Sequence, residues 1–349
     1  LDGSPHLSRL RGALRGRLLQ QLFIRRIILS VSTRRDVLTG FGSLGVAIAL
    51  ANGPRTVAAA ELTKLTVATN GSDSASSAFV AKELGYFAQN GLDVEITTTA
   101  NGGAAINAVA SESIDIAASN LSSLILATSR GIPVIAVAPG GVYSGTPTLA
   151  LLVLKDSPLR TAADLNGKVV VVPGLNTIGQ FAVQAYMDKN GGDWRSVKFI
   201  ELPLPEMSVA LVQHRADAIT IFEPFVTAAL DSGQMRIMAD PNSAIGSKWF
   251  TAIWIASDAF VQKKPDVARR FAQSISKAAV WANSHRNESA AILVKYTKLS
   301  PDVASRMGRD PQGTTLDLQL IQPIVDVMKK YGNVPAQLTA AQLVWSPPR

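Results

Sequence analysis

Cysteine is absent from all 349 residues, which removes disulfide frameworks, thiol nucleophiles, cysteine-ligated zinc and a lipid-modified N-terminal cysteine together. Histidine is nearly absent. His6 lies in a basic leader, His214 ends a predicted helix and His285 sits in a C-terminal helical region, so neither a triad nor a metal cluster is suggested. No Gly-x-Ser-x-Gly elbow or phosphate-cradling loop stands out, and no apolar run spans a bilayer comfortably. The residues therefore offer no catalytic group, no metal site and no cofactor.

Charge is scarce over most of the chain. The formal +8 would suggest a nucleic-acid or acidic-membrane partner, but residues 1–60 carry nine Arg, no Lys and two Asp, leaving 25 basic and 24 acidic side chains for everything after them. A nearly neutral body makes nucleic acid an unexpected partner.

The leader has an order of its own. Thr33-Arg34-Arg35-Asp36-Val37-Leu38 resembles a twin-arginine export motif, Val37 to Ala51 is a mildly apolar run diluted by glycine, and Arg55 precedes the small residues Val57-Ala58-Ala59-Ala60. These are the n, h and c regions of a signal peptide. Residues 1–60 are thus expected to be a twin-arginine signal with an N-terminal extension, cut near Ala60, delivering the rest to the periplasm. A start at Val31 rather than Leu1 would make that signal compact.

From Leu62 onward, short β-branched runs alternate with helical stretches, which argues for α/β architecture with mostly parallel sheets flanked by helices. Predicted strands cover 65–69, 92–96, 114–118 and 133–138, with helices from Phe79 through Phe87 to a stop at Asn90-Gly91, from Asn101 to Ser113 and from Leu121 to Arg130. A second series has strands at 149–154, within Leu165–Gly174, at 197–202 and at 218–222, with helices over 178–190 and 206–214. Phe250 to Ala256 reads as one more apolar strand. The stretch from Lys264 to Tyr331 reads as an amphipathic helical tail packing on the first lobe. Two extended crossings, at 149–154 and 250–256, divide the chain into residues 61–150 with 254–349 as lobe I and 151–253 as lobe II, a topology suited to hinge closure.

Four motifs occur in a specific order: Ala81-Lys82-Glu83-Leu84-Gly85-Tyr86-Phe87, Asn90-Gly91-Leu92-Asp93-Val94-Glu95, Leu165-Asn166-Gly167-Lys168-Val169, and Ala216-Asp217-Ala218 leading to Phe222-Glu223-Pro224-Phe225. Over roughly residues 62–285 the sequence resembles the nitrate-, sulfonate- and taurine-type substrate-binding proteins, a family that includes binders of thiamine pyrimidine precursors. The resemblance implies a two-lobed type II periplasmic-binding-protein fold with a ligand cleft between the lobes. It also implies a monomer that passes a small organic solute to an ABC permease in the inner membrane. The motif residues themselves read as scaffold: a Gly-Tyr-Phe corner and an Asn-Gly turn.

Ligands of parallel α/β sheets sit beyond the carboxyl ends of strands, which selects seven loops. From the first lobe come Asn70, Gly71, Ser72, Gly102, Gly103, Ser119, Asn120, Ser122, Gly140, Gly141 and Tyr143; from the second come Asn176, Thr177, Gln180, Glu206, Phe222 and Glu223. Helix starts rich in Gly, Ser, Asn and Thr present free N–H groups to an anion, although the same residues serve as ordinary caps in any α/β protein. Asn120 and Thr177 rank first among them, since each follows a buried-looking strand and opens a helix. Glu223 is either an acceptor for a ligand amine or hydroxyl, or a capping carboxylate before Pro224. Tyr143, Phe181, Phe222, Trp249 and Trp254 could wall an organic body, the last four equally belonging to the core. No Lys or Arg falls in these loops, which argues against nitrate.

The expected ligand is therefore a small organic anion or zwitterion, sulfonate- or taurine-like. A pyrimidine precursor or aromatic acid is the alternative, as is a ligand-sensing module for a membrane receptor. Relatives of this scaffold that synthesise a pyrimidine use a cysteine cluster absent here, so an enzyme is not expected.

Overall fold

A computed structural model describes residues 61–331 and 334–347. The twin-arginine motif, the apolar run and the cleavage site near Ala60 lie outside the described residues. Among the described residues no helix is long and apolar enough to cross a membrane.

The first sheet builds from the start of the described chain. β1 (Thr63–Thr69) pairs in parallel with β2 (Leu92–Thr98) and with β3 (Ile116–Ser119). β2 shows the period-two pattern of an edge strand, with Leu92 and Val94 buried and Asp93 and Glu95 exposed. Between these strands run α1 (Ser77–Glu83), the single turn α2 (Tyr86–Gln89) and α3 (Gly102–Ala110). The single helix expected from Phe79 to Phe87 is broken at Gly85, whose φ of 70° puts it in the left-handed region that a β-carbon disfavours. Phe87 then stacks on Phe271 with ring centroids 5.7 Å apart. α4 (Leu121–Ser129), β4 (Val134–Pro139) and the two-residue β5 (Val142–Tyr143) follow.

β6 (Leu149–Leu154) opens the second sheet, and five of its six residues are buried, as a central strand covered on both faces requires. It is followed by β7 (Val169–Val172), α5 (Ile178–Lys189), β8 (Lys198–Glu201), α6 (Leu204–Val212), β9 (Ala218–Phe222), α7 (Phe225–Asp231) and β10 (Met235–Ala239). The Ala216-Asp217-Ala218 motif has a structural duty here: the Asp217 carboxylate accepts the Val169 N–H at 2.8 Å, tying β9 to β7.

The apolar run from Phe250 to Ala256 is two strands. β11 (Trp249–Phe250) pairs with β5 in a small separate ribbon, and β12 (Ile253–Ser257) returns to the first sheet. The first sheet has the order β2-β1-β3-β12-β4 and the second β10-β6-β9-β7-β8. Four strands in each run the same way; β12 and β6 run antiparallel to their neighbours, being the strands that enter from the other sheet. Two sheets of this kind, covered by helices and exchanged through such crossings, form the periplasmic-binding-protein fold.

The tail comprises α8 (Asp258–Lys263), α9 (Pro265–Ser284), α10 (Arg286–Tyr296), α11 (Pro301–Arg306) and α12 (Leu318–Lys330). α9 places Val267, Ala268, Phe271, Ile275, Ala278 and Ala282 at three- and four-residue spacing against α1, α2, β2 and β4, in a core shared with β1 and β12. α12 does not stay with the first sheet. Its Ile321, Ile324, Val325 and Met328 share one core with Leu124 and Ile125 of α4 and with Ile178 and Phe181 of α5, and Lys330 pairs with Asp188 at 2.9 Å. The tail, expected to pack on the first lobe, also covers a helix of the second sheet, its apolar stripe being wide enough for both.

Candidate functional site

Chain direction decides where a ligand can sit. β4 leaves the first sheet at its carboxyl edge and β6 enters the second at the edge where β7, β8 and β9 end; β10 leaves that same edge and β12 re-enters the first sheet where β1 and β3 end. Both crossings thus join carboxyl edges, and the loops that follow the parallel strands gather at the seam between the sheets.

On the first-sheet side, one cluster contains Gly102, Ser119, Asn120 and Ser122. The Ser119 hydroxyl donates to the Gly102 carbonyl at 3.2 Å, while Asn120 Oδ1 accepts the Ser123 N–H and the Ser122 hydroxyl, both at 2.8 Å, and so caps α4. A β-carbon at Gly102 would lie 2.4 Å from Asn120 Nδ2, so the Asn120 amide lies directly over that glycine. Gly103 is the next residue out and is exposed. Asn70 is exposed and accepts the Ser72 N–H at 3.1 Å, and Ser72 shares a 3.0 Å hydrogen bond with the Ser74 hydroxyl.

Gly141 and Tyr143 are buried within the first crossing. The Gly141 N–H donates to the Ser74 carbonyl at 2.7 Å, and a β-carbon there would lie 2.7–2.8 Å from Ser74 and Thr251 atoms. The Tyr143 ring packs on Trp249 and its hydroxyl donates to Asp240 at 2.7 Å, linking the crossing to the end of β10. Burial and that carboxylate raise the phenol's pKa above its ordinary value, so it remains a donor.

On the second-sheet side, Asn176, Thr177 and Gln180 form the entry to α5. Gln180 accepts the Asn176 N–H at 2.8 Å, with Asn176 in the left-handed region at φ 58°, and the Thr177 hydroxyl donates back to the Gly174 carbonyl at 2.7 Å rather than capping the helix. Glu206 is exposed in the first turn of α6. Glu223 is half-buried: Oε2 accepts the Thr227 N–H, and Oε1 accepts the Thr227 hydroxyl and the Gly308 N–H, all at 3.0 Å. It caps α7 and holds the tail at the same time. Among the aromatic candidates, Phe181, Trp249 and Trp254 are buried in the core, while Phe222 is half-exposed at the end of β9.

Loop selection by strand ends missed a group that arrives from the tail. Arg309 makes a buried ion pair with Asp73, Nη2 to Oδ1 at 2.6 Å, and also donates to the Arg286 carbonyl and the Ser289 hydroxyl. Asp310 beside it accepts hydrogen bonds from Thr148 (3.0 Å) and Thr251 (3.2 Å). Burial pushes the carboxyls of Asp73, Glu223, Asp240 and Asp310 upward, Asp310 to about 7; the Arg309 guanidinium pulls against this at Asp73, and hydrogen bonds pull against it at the other three. The one signal for this group was that Gly308-Arg309-Asp310-Pro311 interrupts a helical pattern with charge and proline. Among the described residues no group of three or more His, Cys, Asp or Glu side chains is arranged to hold a metal.

The fold is that of periplasmic-binding-protein structures, two sheets exchanged through crossings. Residues 74–289 match the family described as NMT1/THI5 like, more than half of the chain, and the chain belongs to that family. It is 27% identical over 218 residues to the formylaminopyrimidine-binding protein of Halalkalibacterium halodurans, an alignment covering 62% of this chain and 64% of that protein's length. The periplasmic aliphatic sulphonate binding protein SsuA from Escherichia coli superposes with a TM-score of 0.69 at 20% identity, over 82% of this chain and 93% of SsuA. The periplasmic nitrate-binding protein NrtA from Synechocystis PCC 6803 gives 0.66 at 16% identity, over 81% and 85%.

Proposed function

We propose that this chain is the extracytoplasmic solute-binding component of an ABC importer, exported by its twin-arginine leader and working with an inner-membrane permease. Residues 61–150 with 254–349 form one lobe and 151–253 the other, closing about the crossings on a small organic solute. The observation that carries this reading is the convergence of both carboxyl edges, with their Gly-, Ser- and Asn-rich helix starts, on one seam. The names of the relatives, which bind a formylaminopyrimidine, sulfonates or nitrate, support it.

Within that range the chemistry favours a zwitterion or an amine-bearing organic acid over nitrate. The N-termini of α3, α4 and α5 offer N–H groups to an anionic end, whereas Arg309, which arrives from the tail, is already committed to Asp73. Glu223, half-buried at the end of β9, favours a donor-bearing group at the other end. A taurine-like solute or an aminopyrimidine meets both requirements.

The test is thermal shift of the full-length chain against taurine, alkanesulfonates, aminopyrimidines, aromatic acids and nitrate. A ligand at one hundred times its Kd stabilises the fold by about 2.7 kcal/mol, which raises the Tm by several degrees. A shift with an amine-bearing solute and none with nitrate supports the proposal. A shift with nitrate alone would overturn the ligand class.

A further inference from the structure

Between α11 and α12 the chain runs without helix from Met307 to Gly313, and almost every residue of this stretch is bonded to a crossing or to a sheet edge. The Gly308 N–H donates to Glu223 at the end of β9, and Arg309 holds Asp73 after β1. The Pro311 carbonyl accepts the Val142 N–H at 2.8 Å and the Gly313 N–H donates to the Gly140 carbonyl at 2.7 Å, both on the first crossing. Asp310 joins the two crossings directly. Its Oδ2 accepts from Thr148, the residue before β6, and from Thr251, between β11 and β12. Its Oδ1 is buried with no hydrogen-bond partner.

We propose that Met307–Gly313 is a third crossing and that Asp310 is its proton-dependent latch, holding the two strand crossings together when its carboxyl is neutral and loosening them when it ionises. A buried carboxylate with one oxygen unpartnered is costly, and opening the crossings relieves that cost by admitting water.

The charged groups around Asp310 reinforce this. Asp73 from the loop after β1 and Asp240 from the end of β10, which accepts from Tyr143, oppose a further negative charge, and Glu223 from the end of β9 is the other carboxyl bonded to this stretch, through Gly308. Arg309 is taken by Asp73, and Arg286 on α10 donates to the Arg309 carbonyl. Desolvation, helped by Asp73 and Asp240 and opposed by the two threonine hydroxyls, places the Asp310 carboxyl at about 7. Capture would then be favoured below neutrality and release above it, a consequence that rests on the importer reading; the latch itself does not.

A chain without cysteine allows clean labelling. Asn107→Cys on α3 and Val209→Cys on α6, both exposed, carry spin labels on the full-length chain, and the distance between them is followed without solute from about pH 5.5 to about pH 8.5. The expected result is a shift to longer separations with its midpoint near pH 7, absent in Asp310→Asn. Thr251→Val, which removes one donor to the ionised form, should move the midpoint up by about half a pH unit. A constant separation in the parent protein, or a transition in Asp310→Asn at the same midpoint, overturns the proposal. If circular dichroism shows Asp310→Asn unfolded, Thr251→Val decides, and an unmoved midpoint counts against the latch. A solute panel without a hit would sink the importer reading and leave this result standing.

Discussion

At the scale of single residues, capping and recognition can be separated at Asn120. Its Oδ1 accepts the Ser123 N–H and caps α4, while its Nδ2 lies over Gly102 on the proposed solute side. Asn120→Ala loses both and should destabilise the protein by about 1 kcal/mol in chemical denaturation. Asn120→Asp keeps a capping oxygen, so its stability should stay within about 0.5 kcal/mol of the parent while solute affinity falls at least about tenfold by calorimetry, because a carboxylate replaces the amide donor beside an anion. Equal stability loss in the two variants would assign Asn120 to the helix alone. Arg309 poses the opposite case. Arg309→Met leaves Asp73 buried without its cation and should cost about 3–5 kcal/mol, whereas the double variant Arg309→Met with Asp73→Leu should recover much of that in the same denaturation experiment. Neither Arg309 nor Asp73 was visible as a pair in the sequence. They stand 236 positions apart, and nothing local marks a long-range ion pair.

Among elements, legibility followed locality. β6 and β9 were bounded from sequence without error because apolar β-branched runs end abruptly at polar or turn residues. β12 was merged with β11, since the break at Thr251 and Ala252 comes from the chain changing partners rather than from any turn residue. β10 has no counterpart in the sequence reading, as five residues carry too little periodicity, and α7 shows there only through the capping alternative for Glu223 before Pro224. The seven candidate loops follow from strand ends and helix starts, but the third crossing does not, because its position depends on how helices far along the chain pack. Gly140 and Gly141 sit where crossings touch: a β-carbon at Gly140 would lie 2.6 Å from the Ala252 carbonyl oxygen and one at Gly141 2.8 Å from the Ser74 α-carbon. At each position one of these neighbours is backbone, which cannot yield as the end of a flexible side chain can. Gly141→Ala should therefore destabilise by about 1–3 kcal/mol and lower the Tm by several degrees in calorimetry, with or without solute, whereas an effect on affinity alone would place Gly141 against the ligand.

For the molecule as a whole, the carboxyls at the seam and those at the surface pull stability in opposite directions with pH. Glu83, Asp164, Asp231 and Asp302 are held below the ordinary carboxylate range, Glu83 by hydrogen bonds from Lys295 and Tyr296, Asp231 and Asp302 by Arg306, and Asp164 by the backbone N–H groups of Arg160 and Thr161. Each contributes stability that is present above the unfolded pKa and lost as pH falls through the folded one; their exposure keeps the effect small. Asp310, raised to about 7, does the reverse. Between the ordinary carboxylate pKa and about 7 the folded state holds a proton that the unfolded chain has released, so stability falls as pH rises through that window and levels off above it. Asp73, Glu223 and Asp240 shift in the same direction and add to the slope. Urea denaturation should accordingly show a stability lower at about pH 8 than at about pH 5 by on the order of 2–3 kcal/mol, with Asp310→Asn losing most of that difference. A parent protein more stable at about pH 8 than at about pH 5 would mean that the Asp310 carboxylate is accommodated in the closed seam, and that the third crossing holds the sheets together without any proton to release.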